Sequence, residues 1–363
     1  MAIRDTRLST ASFRLARGLG LSLGLALAVA ALALASPGAA RELVDPHEDV
    51  PPVCGEAFVG PAESASGPLT VTFHGVSTLM FSDDRNRLLI DGFFTRPSLR
   101  QLALSRLSSH SPSVEAGLGA DPRPVRAVLV AHAHHDHAMD VGTVAALQTR
   151  AIVAGTASVR RLALGLDVAP ERLCLAGEAP AVFGPFKVWA YEVEHGPSPW
   201  WLRRILDRPL THDFGEPAWF GAYKDDSNLS FVIEHDGTRI LIHPSAGVRD
   251  LGVAEADVVF VGLAGVAGLG DDARPYFDGL IGPDTHTIVP IHWDRFTSRP
   301  GAPLQQLPWF VDNIGEGLRR LCAFAADAPA RPDVVWMEAR ATLVLSRPPR
   351  LDDPDRACPQ PVE

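Results

Sequence analysis

The stretch Ala131-His132-Ala133-His134-His135-Asp136-His137-Ala138-Met139-Asp140 puts four histidines and one aspartate within six residues, His132 to His137. It follows a short, valine-rich run, Val125–Val130, behind Pro124, which reads as a buried strand. It precedes a helix-like segment, Val141–Arg150, for which Asp140 is the expected cap. The cluster therefore lies at the C-terminal end of a strand, where α/β proteins place their chemistry.

Spacing decides what the cluster does. His132 and His134 are two apart, so an extended backbone projects both to one side. Asp136 and His137 follow in the turn. Imidazole nitrogen suits zinc, and carboxylate oxygen suits zinc, manganese or iron. The competing reading is a solvated histidine tract, but such a tract has no strand before it and no capped helix after it. His135 occupies the variable position and is expected at the surface or behind the ligands.

The pattern resembles the H-x-H-x-D-H signature of the metallo-β-lactamase superfamily, and further pieces follow in order. Gly75-Val76-Ser77-Thr78 and Leu88-Leu89-Ile90-Asp91-Gly92 are similar to that family's opening strands. His195 in Val-Glu-His-Gly is similar to the third ligand of the first metal site, and His292 in Pro-Ile-His-Trp to the last ligand of the second. The resemblance covers about Leu69 to Leu345. The Gly-Val-Ser-Thr and Pro-Ile-His-Trp phrases look most like the branch of ascorbate-phosphate lactonases and phospholipase-D-like hydrolases of N-acyl ethanolamine lipids.

Several expectations come with the resemblance. The fold is α/β, a four-layer αββα sandwich of two mixed sheets, where periodicity alone would give only α/β. One metal is held by His132, His134 and His195, and a second by Asp136, His137 and His292. Asp91 orients the metal loop, although a turn or helix cap is the other reading of that residue. The cofactor is zinc, one or two ions, with manganese or iron as alternatives. The activity is that of a hydrolase using a metal-bound hydroxide on a lactone, phosphodiester or related bond, with Asp136 holding the hydroxide or taking its proton. The family's Gly-Asp-Thr-Gly, whose aspartate bridges two metals, is matched here by Pro244-Ser245-Ala246-Gly247. Ser245 is a far poorer ligand, and His243 is the candidate substitute. Three other functions stay open: an iron-dependent redox enzyme, a non-catalytic metal- or ligand-binding protein, and a β-lactam hydrolase.

Arg4, Arg7, Arg14 and Arg17 precede the uncharged run Gly18–Ala35, and Gly38-Ala39-Ala40 follows. This is the layout of a secretory signal peptide, residues 1–40, and implies a periplasmic or secreted protein. The rival reading is an inner-membrane anchor formed by residues 18–35, because the run is near the roughly 18-residue minimum for spanning. The whole chain carries −10; removing the four arginines and Asp5 leaves −13. So acidic a chain disfavours nucleic acid as a partner; the small-molecule substrate is what the resemblance implies.

The remaining divisions are a lead-in, 41–68, the hydrolase domain, 69–346, and a Pro-Asp-rich tail, 347–363. An exported chain permits disulfides. Cys54 and Cys358 flank the domain and are expected to pair, with Cys174 and Cys322 as core thiols; four free thiols is the alternative. Leu69–Phe73, Ser77–Phe81, Arg87–Asp91, Ala151–Ala154, Val188–Val193, Asp257–Val261 and Thr287–Ile291 read as strands. Asn228–His235 and Thr238–His243 read as a hairpin about Asp236-Gly237, with His235 exposed at its turn. Phe93–Pro124 reads as a long loop with one short helix. Ala157–Leu166, Tyr276–Ile281 and Leu307–Ala326 read as helices, and Gly262–Gly270 as a turn. Val334–Leu345 is either one closing strand or a pair. Ser198–Tyr223 gathers Trp200, Trp201, Trp219, Phe220 and Tyr223 around three arginines. It is either a helical insertion packed on the core or a wall for an amphipathic or anionic ligand.

Overall fold

A computed structural model describes residues 54, 63–198, 200–247, 255–298, 302–308 and 311–345. The expected signal peptide, most of the lead-in, the tail and Cys358 lie outside the described residues. Among those described, no helix is long and apolar enough to cross a membrane.

Fourteen strands form two seven-stranded sheets. The first contains β1 (Thr70–Phe73), β2 (Leu79–Ser82), β3 (Arg87–Ile90), β4 (Val125–Leu129), β5 (Ile152–Gly155), β6 (Leu173–Leu175) and β14 (Thr342–Val344), in the order β14-β1-β2-β3-β4-β5-β6. The second contains β7 (Ala181–Phe183), β8 (Phe186–Val193), β9 (Asn228–His235), β10 (Thr238–His243), β11 (Val258–Gly262), β12 (Thr287–Ile291) and β13 (Asp333–Val334), in the order β13-β12-β11-β10-β9-β8-β7. Neighbouring strands run parallel from β3 to β6 in the first sheet and from β10 to β13 in the second, and antiparallel elsewhere. The parallel strands are buried on both faces, which explains why β11 and β12 read as unbroken apolar runs and not as alternation.

The inner faces meet in one apolar core, with Phe81 of the first sheet edge-on to Phe260 of the second at 5.8 Å. Outside the first sheet, helices Ser111–Leu118, Val141–Leu147 and Ala157–Gly165 bury Val114, Leu118, Val144 and Leu162 in a second core. Outside the other sheet, Ala273–Asp278 and Ile314–Asp327 bury Tyr276, Phe277, Leu318 and Leu321. The layers are helix, sheet, sheet, helix, as the resemblance implies.

Several expectations are corrected. Cys54 pairs with Cys174, not Cys358, and ties the chain ahead of the domain to β6. Cys322 is also disulfide-bonded, and among the described residues no cysteine is free. Val334–Leu345 supplies two strands to opposite sheets, β13 and β14. The last long helix begins at Ile314, where the Asn313 side chain accepts the Glu316 N–H; Leu307 lies outside it. Residues 93–124 hold two helices, Leu99–Leu104 and Ser111–Leu118. Residues 262–270 lead into 3-10 helix from Val266. Asp140 does not cap its helix. Its buried carboxylate accepts the N–H groups of Phe94 and Thr95 and the hydroxyls of Thr95 and Ser109, and so fastens the 93–110 segment. His235 is buried, not exposed: its ring packs on Phe186, and Nε2 lies 3.2 Å from Asp83.

Candidate metal centre

Three strand ends in two sheets converge. β4 delivers the 131–140 loop, β8 delivers His195, and β12 delivers His292. The loop is held through alternate amides: Ala131 N–H donates to Asp91 at 2.8 Å, and Ala133 N–H donates to Asp225 at 2.9 Å. Between these tethers His132 and His134 turn the same way. His292 adopts φ 53°, a left-handed conformation that a histidine takes only under constraint. Its N–H donates to the Val76 carbonyl at 2.6 Å, and Asp294 accepts the Val76 N–H in return.

Two groups of ligand atoms result, each with its members within 4.8 Å of one another: His132, His134 and His195; and Asp136, His137 and His292. In the first, the His132 ring is 4.3 Å from His134 and 5.0 Å from His195. The His132 and His137 rings are 4.0 Å apart, so the two groups adjoin. In the second, Nε2 of His137 and Nε2 of His292 face each other at 3.3 Å, and Asp136 Oδ2 lies 3.7 and 3.5 Å from them.

Hydrogen bonds select the inward nitrogen of three of the rings. Leu206 O lies 3.4 Å from His134 Nε2, Gly196 O lies 3.0 Å from His195 Nδ1, and Asp91 lies 2.8 Å from His137 Nδ1. A neutral imidazole donating from one nitrogen leaves a lone pair on the other. The Ser77 hydroxyl also binds Asp91.

The electrostatics agree. Burial, reinforced by neighbouring histidines, holds His132 and His134 well below the ordinary imidazole range, and burial lowers His195. These rings are neutral donors. Burial pushes the Asp136 carboxyl upward, but His137, His135 and His292 outweigh it and hold it well below its usual value. Both nitrogens of buried His132 lack a hydrogen-bond partner, as does Nδ1 of His292. Orphaned buried nitrogens are costly unless something accepts their lone pairs. The donor set thus fits cations: three imidazoles in one group, two imidazoles and a carboxylate in the other.

His243 and Ser245 fall elsewhere than expected, while His135 takes the place behind the ligands, its Nδ1 3.4 Å from Asp136 Oδ1. His135 is buried, with its ring 4.9 Å from Phe220, 5.6 Å from Phe296 and 6.0 Å from Phe93. His243 reaches neither group: Nδ1 lies 2.6 Å from the Ser230 hydroxyl and Nε2 3.1 Å from Gly247 O. Ser245 accepts the Gly196 N–H at 2.8 Å and so anchors the turn next to His195. Asp225 was not anticipated. It sits in Lys224-Asp225-Asp226-Ser227, which reads as a solvated loop. Its carboxylate also accepts the Thr156 hydroxyl and the Ser227 N–H.

Residues 71–164 match the family described as "Metallo-beta-lactamase superfamily". This segment belongs to the metallo-β-lactamase superfamily. It holds β1 to β5 and the whole 131–140 loop, and the two-sheet sandwich around it has the metallo-β-lactamase fold. His195, Ser245 and His292 lie beyond the matched segment. No curated protein matches this sequence. Among solved structures, the chain is similar to a metallo hydrolase from the archaeon Ignicoccus hospitalis, with 13% identity and TM-score 0.47, over 77% of this chain and 98% of that one. It is similar to the metallo-β-lactamase-fold protein YhfI from Bacillus subtilis, with 12% identity and TM-score 0.44, over 77% and 99%. It is similar also to CmlA, a diiron β-hydroxylase from Streptomyces venezuelae, with 13% identity and TM-score 0.44, over 79% and 55%.

Proposed function

We propose that this metallo-β-lactamase superfamily chain is an exported metal-dependent hydrolase acting on an ester-like bond: a lactone, a phosphodiester or a related group. The observation that carries the reading is the pair of adjoining ligand groups at three strand ends, with both nitrogens of buried His132 unpartnered.

His132, His134 and His195 would hold one ion, and Asp136, His137 and His292 a second. Zinc suits both sets, with manganese or iron as alternatives. A divalent ion there supplies Lewis acidity and brings a water pKa toward about 7. The chain's own part is to keep His132, His134 and His195 neutral and to orient the ligands. Leu206 O, Gly196 O and Asp91 fix the tautomers of His134, His195 and His137. Asp136 stays ionised, so its carboxylate serves as a ligand and a hydrogen-bond acceptor. Ser245 supports the His195 turn and supplies no carboxylate between the two groups. Export rests on the arginine-flanked apolar run and small residues of 1–40.

The test is metal content per mature chain by elemental analysis, with hydrolysis of bis-p-nitrophenyl phosphate, a γ-lactone and nitrocefin. Two ions per chain and phosphodiester or lactone turnover that His132→Ala abolishes are expected. A metal-free protein, or full activity in His132→Ala, overturns the reading. Coloured protein with bound iron and no hydrolysis would replace it with redox chemistry.

A further inference from the structure

The insertion 198–223 and the helix Leu99–Leu104 enclose a cavity of about 420 Å³, within the range of small-ligand sites. None of the six residues in the two ligand groups lines it. Leu102, Ile205, Leu210, Phe214 and Phe220 provide apolar walls. Arg106, His212 and Lys224 also face it, and no acidic residue does. Among the described residues neither Arg106 nor Lys224 pairs with a carboxylate. Arg106 donates to the Pro217 carbonyl at 3.3 Å and lies 5.8 Å from the Trp219 ring.

In a chain of net charge −10, two unpaired cations on an apolar cavity are a specific local excess. Charge of one sign at a low-dielectric wall favours an ion of the opposite sign. The apolar surface beside it rewards a ligand that also buries hydrocarbon. Both requirements are met by one chemical class. We propose that this cavity binds an amphipathic monoanion, a carboxylate on an alkyl chain, with the chain against Leu102, Phe214 and Phe220 and the carboxylate taken by Arg106 and Lys224. The cavity is separate from the metal centre but shares a wall with it. Phe220 lines the cavity and packs on His135, and Ile205 precedes Leu206, whose carbonyl faces His134.

Isothermal titration of the mature chain with sodium decanoate, below its micelle concentration, tests this. Saturable one-to-one binding is expected. It should weaken at least about tenfold in Arg106→Gln/Lys224→Gln, the cost of losing a charge-assisted contact. Decanol should bind more weakly than decanoate, since it keeps the chain and loses the charge; acetate should not bind. Ala103→Phe, which fills the cavity from its helix, should also weaken decanoate. The Gln pair alters one exposed and one half-buried side chain, so it tests the site on an intact fold independently of Ala103→Phe. No saturable binding, equal affinity for decanol, or unchanged affinity in the Gln pair (as for a carboxylate bound at the metal centre) would each overturn the proposal.

Discussion

The Asp225 carboxylate accepts the Ala133 N–H at 2.9 Å, from a loop more than ninety residues away in sequence, and thereby anchors the backbone between His132 and His134. Burial raises its pKa to about 6 although Thr156, Ser227 and Ala133 all donate to it. A folded pKa above the unfolded value means that the native state binds the extra proton. Stability is therefore lost as pH rises from about 4 through about 6, by roughly 3 kcal/mol at most. Asp225→Asn should remove that slope. Urea unfolding at pH 5 and pH 7.5 checks this: the wild-type difference between the two should exceed that of the variant, and equal differences would refute it.

Asp91 accepts from His137 Nδ1, Ser77 and Ala131 in a fully buried setting. Asp91→Asn keeps the volume but weakens the hold on the His137 ring. Affinity for the second metal should fall by about 10- to 100-fold, while the His132–His134–His195 group keeps its ion. Metal analysis after dialysis against a weak chelator should then read one equivalent in place of two.

Ser245→Ala leaves the Gly196 N–H without its acceptor, at a cost of about 1 to 3 kcal/mol. The metal lost first in a chelator titration should be the one held by His195. His243→Gln should leave metal content unchanged and lower stability by a similar amount, because both ring nitrogens serve buried hydrogen bonds. Loss of a metal from His243→Gln would restore it as a ligand.

The Cys54–Cys174 bridge closes a separation of 120 residues. Chain entropy makes such a cross-link worth about 3 to 5 kcal/mol. Cys54→Ser/Cys174→Ser should lower the melting temperature by about 6 to 20 °C, since 1 kcal/mol moves a domain of this size by roughly 2 to 4 °C. An unchanged melting temperature in calorimetry would contradict this.

Local chemistry made much of the fold legible. β9 and β10 match the expected hairpin residue for residue, because Asp236-Gly237 supplies the turn and apolar runs flank it. β12 and the approach of His195 and His292 were equally open to reading, since ligands at strand ends leave a run followed by a histidine. Long-range partners were not legible. Asp140 has the place of a helix cap in sequence, yet its acceptors are spent on Phe94, Thr95 and Ser109. His235 stands beside a turn, where exposure is the rule, but Asp83 from the β2–β3 turn and Phe186 from β8 cover it. Cysteine spacing carries no connectivity, and Cys174 had the apolar setting of a core thiol.

Most of the first sheet comes from the first half of the domain and the second sheet from the rest; β14 is the exception. Thr70 pairs with Val344 and Thr72 with Thr342, so the first strand waits for the last. That ladder has the greatest sequence separation in the molecule, and loop-closure entropy must be met before it forms. Without β14 the β1 strand would be left as an open, unpaired edge of the first sheet.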